Sequence, residues 1–158
     1  MIIIDGHNLL HAIKKGEDAQ TISETQLCRV ISRYLKLISE KGEIIFDGTG
    51  PADKSGFDNI SNLEVLFSGR NSDTDTVIED KIRADTAPKR LTIVSSDRRL
   101  RKAAQVRKAT AVKSEVFWAG LEKQLSRKRP AEEPAAKREG LSESETRQWL
   151  KFFNLEQQ

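Results

Sequence analysis

Four aspartates each follow a short apolar run, and their type and spacing are suited to metal-dependent chemistry. The runs are MIII before Asp5, EIIF before Asp47, LEVLFSGRNSDT before Asp75 and LTIVSS before Asp97. In a parallel α/β sheet the carboxyl ends of the strands meet at one edge, where such folds bind ligands. Carboxylates gathered there repel one another unless a divalent cation neutralises them. Because Mg²⁺ and Mn²⁺ prefer oxygen ligands, the pattern predicts a metal-dependent phosphodiesterase.

The elements that must position these aspartates alternate between strand and helix along the 158-residue chain. Such alternation predicts a parallel sheet with helices on both faces. We therefore expect a three-layer α/β/α fold with a central, mostly parallel sheet of about five strands. The predicted strands are 1–5, 43–47, 63–67, 91–96 and 110–112. The predicted helices are a short one before Gly16, then 23–41 (ended by Gly42), 74–85, 98–108 and 115–128.

The C-terminal part of the chain has a different composition. Residues 129–140, RPAEEPAAKREG, contain two prolines and mixed charge but no apolar period, which predicts a linker. The expected domain is therefore 1–128, followed by the linker and by an amphipathic helix over 141–158. Trp149 and Phe153 of that helix either dock on the core or anchor a partner.

Composition excludes several classes of protein. No apolar run approaches the ~18 residues of a membrane span, and the N-terminus lacks the pattern of a signal peptide, so a cytoplasmic location is the default. The lone Cys28 excludes an internal disulfide and a cysteine-rich zinc site. His7 and His11 are four apart and could form a zinc pair, but a surface role is the simpler interpretation without further histidines.

A basic stretch begins directly after Asp97, although the net charge is only +3. An acidic pocket beside a basic helix fits a polyanion whose phosphates bind the cations and which is cut at a metal. The alternative is a solvated helix face. The candidate substrate-binding residues are Asn8 and Ser96, beside two of the aspartates, and Arg98, Arg99, Arg101 and Lys102.

Each aspartate also has a simpler explanation. Asp73 or Ser72 could cap the helix from residue 74, with Asp75 adding favourable charge to its first turn, and Asp97 could cap the basic helix. Glu79 could form an ion pair with Arg83 at i+4. Capping accounts for each carboxylate singly, but less well for four of them at four strand or turn ends.

The motifs together resemble those of a known family. DGHN at Asp5, FDG at Asp47, VLFS followed by DTDTVIEDKI, and VSSD at Asp97 are similar, in this order, to the YacP-like NYN-domain family of PIN-like ribonucleases. The resemblance covers about residues 1–125. It implies a PIN-like fold, dependence on Mg²⁺ or Mn²⁺, and endonucleolytic cleavage of RNA. One class of relatives is associated with ribosomes and cuts messenger RNA during translation, which makes the ribosome a further implied partner.

The resemblance also implies roles for particular residues. Asp5 and Asp97 would be primary metal ligands, and Asp75, with Asp47, would bind a second ion or its waters. The family's asparagine falls on Asn8. The chain departs from the family pattern at His7, where tyrosine is usual, and at Thr76, where another acid is common. The second departure leaves open whether Asp73 compensates and how many metals bind.

Two other functions stay open at this point. The run DTDTV at Asp73 fits the DxDx(T/V) pattern of haloacid-dehalogenase-type phosphatases, in which the first aspartate is a nucleophile. The other alternative is an RNA- or ribosome-binding module with little catalysis, since an acidic pocket can persist without chemistry.

Overall fold

The computed structural model describes residues 1–16 and 21–138, with side chains up to residue 127. The strands are β1 (Ile2–Asp5), β2 (Gly42–Phe46), β3 (Leu63–Phe67), β4 (Thr92–Val94) and β5 (Thr110–Val112). The helices are α1 (Gly6–Lys14), α2 (Glu24–Leu37), α3 (Thr74–Ala84), α4 (Arg98–Val106) and α5 (Ser114–Arg138). Short 3₁₀ turns occupy Ser55–Phe57 and Pro88–Arg90.

The five strands form one sheet in the order β3-β2-β1-β4-β5, and every neighbouring pair is parallel. The chain moves outward from β1 to β2 and β3, then returns to β4 and continues outward to β5. Because crossovers between parallel strands are right-handed, this order places α1 and α2 on one face and α3 and α4 on the other. The predicted three-layer α/β/α fold is therefore confirmed. The strand order reverses between β1 and β4, which is where open α/β sheets bind ligands.

Burial on both faces explains why the central strand is an unbroken apolar run. Ile3 of β1 packs in one buried cluster with Ile93 of β4, Ile78 of α3 and Leu100 of α4. Ile4 alternates to the opposite face, where α1 and α2 lie, and is fully buried. The sheet is thus held between two apolar layers, and its carboxyl edge is fixed by both.

The second helix ends earlier than predicted. α2 stops at Leu37, and Ser39 takes the left-handed conformation with a φ of 56°. Gly42, expected to terminate this helix, instead begins β2. A Cβ there would lie 3.0 Å from the carbonyl oxygen of Ile2 and 3.1 Å from Leu35 Cδ1, so glycine allows α2 to pack closely on the sheet.

The last described helix is longer than predicted. α5 continues to Arg138, so the backbone is helical at 129–138, where a linker was expected. Alanine, glutamate, arginine and lysine make up eight of these ten residues, and their helix propensity is high. The sheet and α1–α4 belong to a unit comprising Met1–Trp118, and Ala119–Gln158 forms a second unit. The predicted boundary at residue 128 stays a prediction, and the predicted helix over 141–158 lies outside the described residues.

The described helices include none that combines the length and the apolar character needed to cross a membrane.

Candidate active site

Asp5 and Asp97 lie on the two sides of the switch point between β1 and β4. Asp5 is the last residue of β1 and is only 6% exposed. The hydroxyl of Ser95 connects the two positions, because it donates to Asp5 Oδ2 at 3.3 Å and accepts from the backbone N–H of Asp97 at 3.1 Å. Ser95 is fully buried, so this link is shielded from water.

Three of the aspartates cap helices, as the simpler interpretation held for Asp73 and Asp97. Asp5 Oδ1 accepts the N–H of Asn8 in α1 at 3.3 Å, and Asp97 Oδ1 accepts the N–H of Arg99 in α4 at 2.8 Å. Asp73 Oδ1 accepts the N–H of Thr76 in α3 at 2.7 Å. Capping occupies one oxygen of each carboxylate. The second oxygens of Asp73 and Asp97 have no hydrogen-bond partner within the described residues and stay available to a ligand.

Asp73 does not stand where a phosphatase nucleophile must stand. Residues 68–72 separate it from the end of β3, and β3 is the edge strand of the sheet. A phospho-aspartate mechanism needs the nucleophile directly at a strand end, so the geometry gives no support to the phosphatase alternative.

Asp75 provides the electrostatic connection within the group. It lies in the first turn of α3, and its side chain makes no hydrogen bond or ion pair with the described part of the chain. Burial and then the charge of Asp97 raise the pKa of Asp75. Burial raises the pKa of Asp5 to about 6, and the charge of Asp75 adds to that rise. Asp75 is therefore close enough to Asp5 and to Asp97 for its charge to repel theirs.

Asp47 occupies a neighbouring position after β2 but is not among the carboxylates that raise the pKa of Asp5 or Asp75. Its Oδ1 accepts the hydroxyl of Ser68 at 3.0 Å. Its backbone N–H donates to His7 Nδ1 at 3.1 Å, so Nε2 of that ring carries the proton and faces Glu24 at 3.1 Å. With both ring nitrogens of His7 occupied, a zinc pair with His11 has no support.

No three Asp, Glu, His or Cys side chains in residues 1–16 and 21–138 are arranged as a preformed metal site. The donor set nevertheless fits a hard divalent cation. Asp5, Asp75 and Asp97 offer oxygen ligands, and burial together with repulsion from a neighbouring carboxylate raises the pKa of Asp5 and of Asp75. A cation between them would remove that repulsion, provided that the side chains rotate toward it.

Asn8 and Ser96, which were predicted to contact the substrate, form hydrogen bonds that hold the site together. Asn8 Oδ1 accepts the N–H of Ser96 at 2.9 Å and the hydroxyl of Ser114 at 2.6 Å. Ser96 Oγ donates to Glu115 Oε2 at 2.7 Å. These bonds fasten the end of β4 to α1 and to the start of α5. Ser114 was not among the predicted site residues, because nothing in its local sequence distinguishes it from a surface serine.

The basic helix divides into paired and unpaired cations. Arg99 forms two hydrogen bonds to Glu79, at 2.7 and 2.9 Å. Arg98 and Lys102 are exposed and have no partner within the described residues, whereas Arg101 is half-buried. The predicted pair between Glu79 and Arg83 is present at 3.8 Å, but Arg99 is the closer partner. Twenty residues separate Glu79 from Arg99, so no short-range pattern could have indicated the pair.

Two solved structures share this fold. One is the crystal structure of Rae1 (YacP) from Bacillus subtilis, with 18% sequence identity and a TM-score of 0.66, covering 98% of this chain and 92% of that chain. The other is a mutant of the same protein, with 16% identity and a TM-score of 0.64, covering 96% and 91%. At these identities the likeness concerns the fold. Among curated proteins, none matches this sequence.

The model of the YacP-like NYN domain matches residues 2–154. This match reaches well beyond residue 125, where the recognisable motifs end, and therefore includes most of the tail. It covers nearly all of the chain, and the fold agrees with the two YacP structures. The chain therefore belongs to the YacP-like NYN domain family.

Proposed function

We propose that the chain is a metal-dependent endoribonuclease that hydrolyses phosphodiester bonds in RNA. The observation that carries the proposal is the grouping of Asp5, Asp75 and Asp97 near the switch point, where burial and then repulsion between neighbouring carboxylates raise the pKa of Asp5 and Asp75. Ionised carboxylates in such a group destabilise the fold, and a bound cation would offset that destabilisation. Membership of the NYN family supports a nuclease in coarse terms.

The chain's own residues would perform three tasks in this reaction. Asp5, Asp75 and Asp97 would hold one or two Mg²⁺ or Mn²⁺ ions, with Asp47 or Asp73 completing the set. A bound ion of this kind acidifies water and neutralises charge on the phosphorus in the transition state. Ser95 keeps Asp5 and the backbone of Asp97 in register. The exposed cations Arg98 and Lys102 bind phosphates of the RNA backbone.

The substrate is a single-stranded or looped RNA in this proposal, because an edge site admits a splayed strand but not the interior of a duplex. The family resemblance adds messenger RNA on the ribosome as the finer prediction, together with a cytoplasmic location. The contacts of the described residues support the nuclease chemistry, and these finer statements stay predictions.

The test is cleavage of an end-labelled RNA with single-stranded loops in Mn²⁺, in Mg²⁺ and in EDTA. Asp97→Asn is the informative variant, because asparagine caps a helix as well as aspartate and so leaves α4 intact while removing a charged metal ligand. We expect metal-dependent cutting by the wild type and none by Asp97→Asn at an unchanged melting temperature. Equal cutting by both proteins would refute the assignment.

A binding module with little turnover is the second candidate. It is favoured by the absence of a preformed metal site within the described residues. RNA binding that is indifferent to EDTA, with no cleavage in any metal, would establish this alternative.

A further inference from the structure

A groove of about 730 Å³ lies between α3 and α4, outside the group of aspartates. We call it the α3–α4 groove. Its polar lining comprises Glu79, Arg83, Arg98, Arg99, Lys102 and Arg107. Its apolar lining comprises Ile82, Ala103 and Val106. Five cations against one carboxylate make the groove strongly basic, whereas the adjoining site is acidic.

The groove begins at the candidate active site. Asp75 lies in the first turn of α3 and Asp97 caps α4, so both helices start at the carboxyl edge of the sheet. The nine residues of α4 extend about 13 Å at the α-helical rise of ~1.5 Å per residue, and they lead away from that edge. A strand that passes the aspartates can therefore continue along the groove from Arg98 to Val106 without a break.

Two of the five cations in the groove are ion-paired, and the other three keep their charge for a ligand. Arg99 binds Glu79, and Arg83 lies 3.4 Å from Asp80 and 3.8 Å from Glu79. Arg107 uses one guanidinium nitrogen on the carbonyl of Asp85, at 2.9 Å. Arg98 and Lys102 have no partner among the described residues. A polyanion, with its row of negative charges, fits this distribution of charge. A partner surface of mixed positive and negative charge would fit it less well.

The exposed apolar side chain at the far end of the groove favours an unpaired strand over a duplex. Val106 is 74% exposed, an unusual fraction for a large apolar side chain, and it sits at the far end of the groove. Single-stranded RNA presents both phosphates for cations and the faces of its bases for apolar contacts. A duplex presents its phosphates but keeps its bases stacked inside.

We propose that the α3–α4 groove binds the single-stranded RNA segment that flanks the scissile phosphate on one side. This inference rests on the proposed nuclease function and specifies its substrate: the RNA must be unpaired for a few nucleotides on that side. The phosphates contact Arg98, Lys102 and the two distal arginines, Arg83 and Arg107. The base or ribose farthest from the cut contacts Val106.

Site-directed photocross-linking tests this placement. The single native cysteine, Cys28, is fully buried, so Val106→Cys offers one exposed thiol for a photoreactive maleimide. Val116→Cys is the matched control, because Val116 is also exposed, at 62%, but lies on α5 and outside the groove. Both are made with Asp97→Asn, and the probe is an RNA whose cut site has been mapped with the wild-type protein.

We expect cross-links from position 106 to nucleotides on one side of the cut, with at least a tenfold lower yield from position 116. Equal yields from the two positions, or cross-links from position 106 to nucleotides on both sides of the cut, would overturn the proposal that the groove binds the flanking RNA. Failure of the nuclease function is distinguishable. If the wild type cuts no RNA, the probe is an unpaired RNA without a mapped cut site. Preferential cross-linking from position 106 over position 116 would then support RNA binding in the groove without catalysis, and equal yields would overturn the proposal.

A charge-removal experiment provides a second, independent measurement. Arg83→Gln with Arg107→Gln removes two distal cations of the groove, and Lys89→Gln with Arg90→Gln removes two exposed cations elsewhere. With a full-length RNA we expect the first pair to raise KM about tenfold at unchanged kcat. The slope of log K for RNA binding against log salt should fall by about 1.4, since each contact to a single strand contributes ~0.7.

An RNA truncated on the cross-linked side should show none of this effect, because it does not reach the distal arginines. An equal rise in KM with the Lys89 and Arg90 variant, or an undiminished rise with the truncated RNA, would contradict RNA binding in the groove. The salt slope is measured in EDTA and requires no turnover, so it tests the groove even for a protein that fails to cut.

Discussion

Replacement of Asp5 by asparagine is expected to stabilise the fold at neutral pH while abolishing cleavage. Burial raises the pKa of Asp5 from 3.8 to about 6. At ~1.4 kcal/mol for each pH unit, keeping this carboxylate ionised in the folded protein costs about 3 kcal/mol. Asparagine has the same shape without the charge, and therefore removes this cost.

Part of the gain is lost through a hydrogen bond. The oxygen of an asparagine can still accept the N–H of Asn8, as Asp5 Oδ1 does. Its amide group, however, replaces the oxygen that accepts the hydroxyl proton of Ser95, and losing one such bond costs about 1 kcal/mol. The net stabilisation is therefore about 2 kcal/mol, which raises the Tm of a domain of this size by about 4–8 °C.

The effect must depend on pH in one direction. Well below pH 4 Asp5 is protonated in both the folded and the unfolded chain, so the wild type bears no cost there. As the pH rises from about 4 through the folded pKa of about 6, the unfolded chain releases its proton first and the wild type loses stability. Asp5→Asn should therefore be equal or slightly inferior to the wild type at pH 4 and superior at pH 7.5.

The assay is urea or thermal unfolding in EDTA at pH 4, 5, 6 and 7.5, with Asp58→Asn as control. Asp58 is exposed, so the same substitution relieves no burial there. A difference between Asp5→Asn and the wild type that does not change with pH would show that burial does not raise the pKa of Asp5. Lower stability of Asp5→Asn at pH 7.5 would refute the reasoning outright.

Three further outcomes follow from the same contacts. Asp97→Ala should lose cleavage and also about 1 kcal/mol of stability, because alanine cannot cap α4. Asp97→Asn should lose only cleavage. Equal melting curves for the two variants would contradict the capping role of Asp97. At subsaturating Mn²⁺, the cleavage rate should rise with pH through about 6, since metal binding requires Asp5 to be ionised. Saturating Mn²⁺ should move the midpoint of this rate profile to lower pH. A profile that is flat from pH 5 to 7 would argue against Asp5 as a ligand. Gly6→Ala should destabilise the fold by about 1–3 kcal/mol, because its Cβ would lie 2.5 Å from the ring of Phe46; an unchanged Tm would show that the ring can move aside.

Much of the fold and part of the site could be predicted, because their signals are local. A buried parallel strand is an apolar run, and an amphipathic helix repeats every three to four residues, so the segments around β1, β3, α3 and α4 emerged with nearly their observed bounds. Alternation of the two kinds of segment predicts a parallel sheet, and a parallel sheet brings strand ends to one edge. The local patterns alone therefore predict that Asp5 and Asp97 lie close together.

Contacts between distant residues were decided by the tertiary structure alone. Ser95 reaches Asp5 across 90 positions of the sequence, and Ser114 reaches Asn8 across 106. Whether Asp47 or Asp75 would lie nearer to Asp5 depended on how α3 packs over the sheet, and that packing brought Asp75 close. A short motif records which residue types are available, but it carries no information about which of them meet after the chain crosses the sheet.

The amino-acid sequence by itself determined the elements, their parallel arrangement, the acidic edge and the family. The tertiary structure decided which carboxylates repel one another and that Glu79 binds Arg99 in the lining of a basic groove. The reason is physical: hydrophobic periodicity and capping act within a few residues, whereas charge repulsion, burial and grooves arise between elements that only the folded chain brings together.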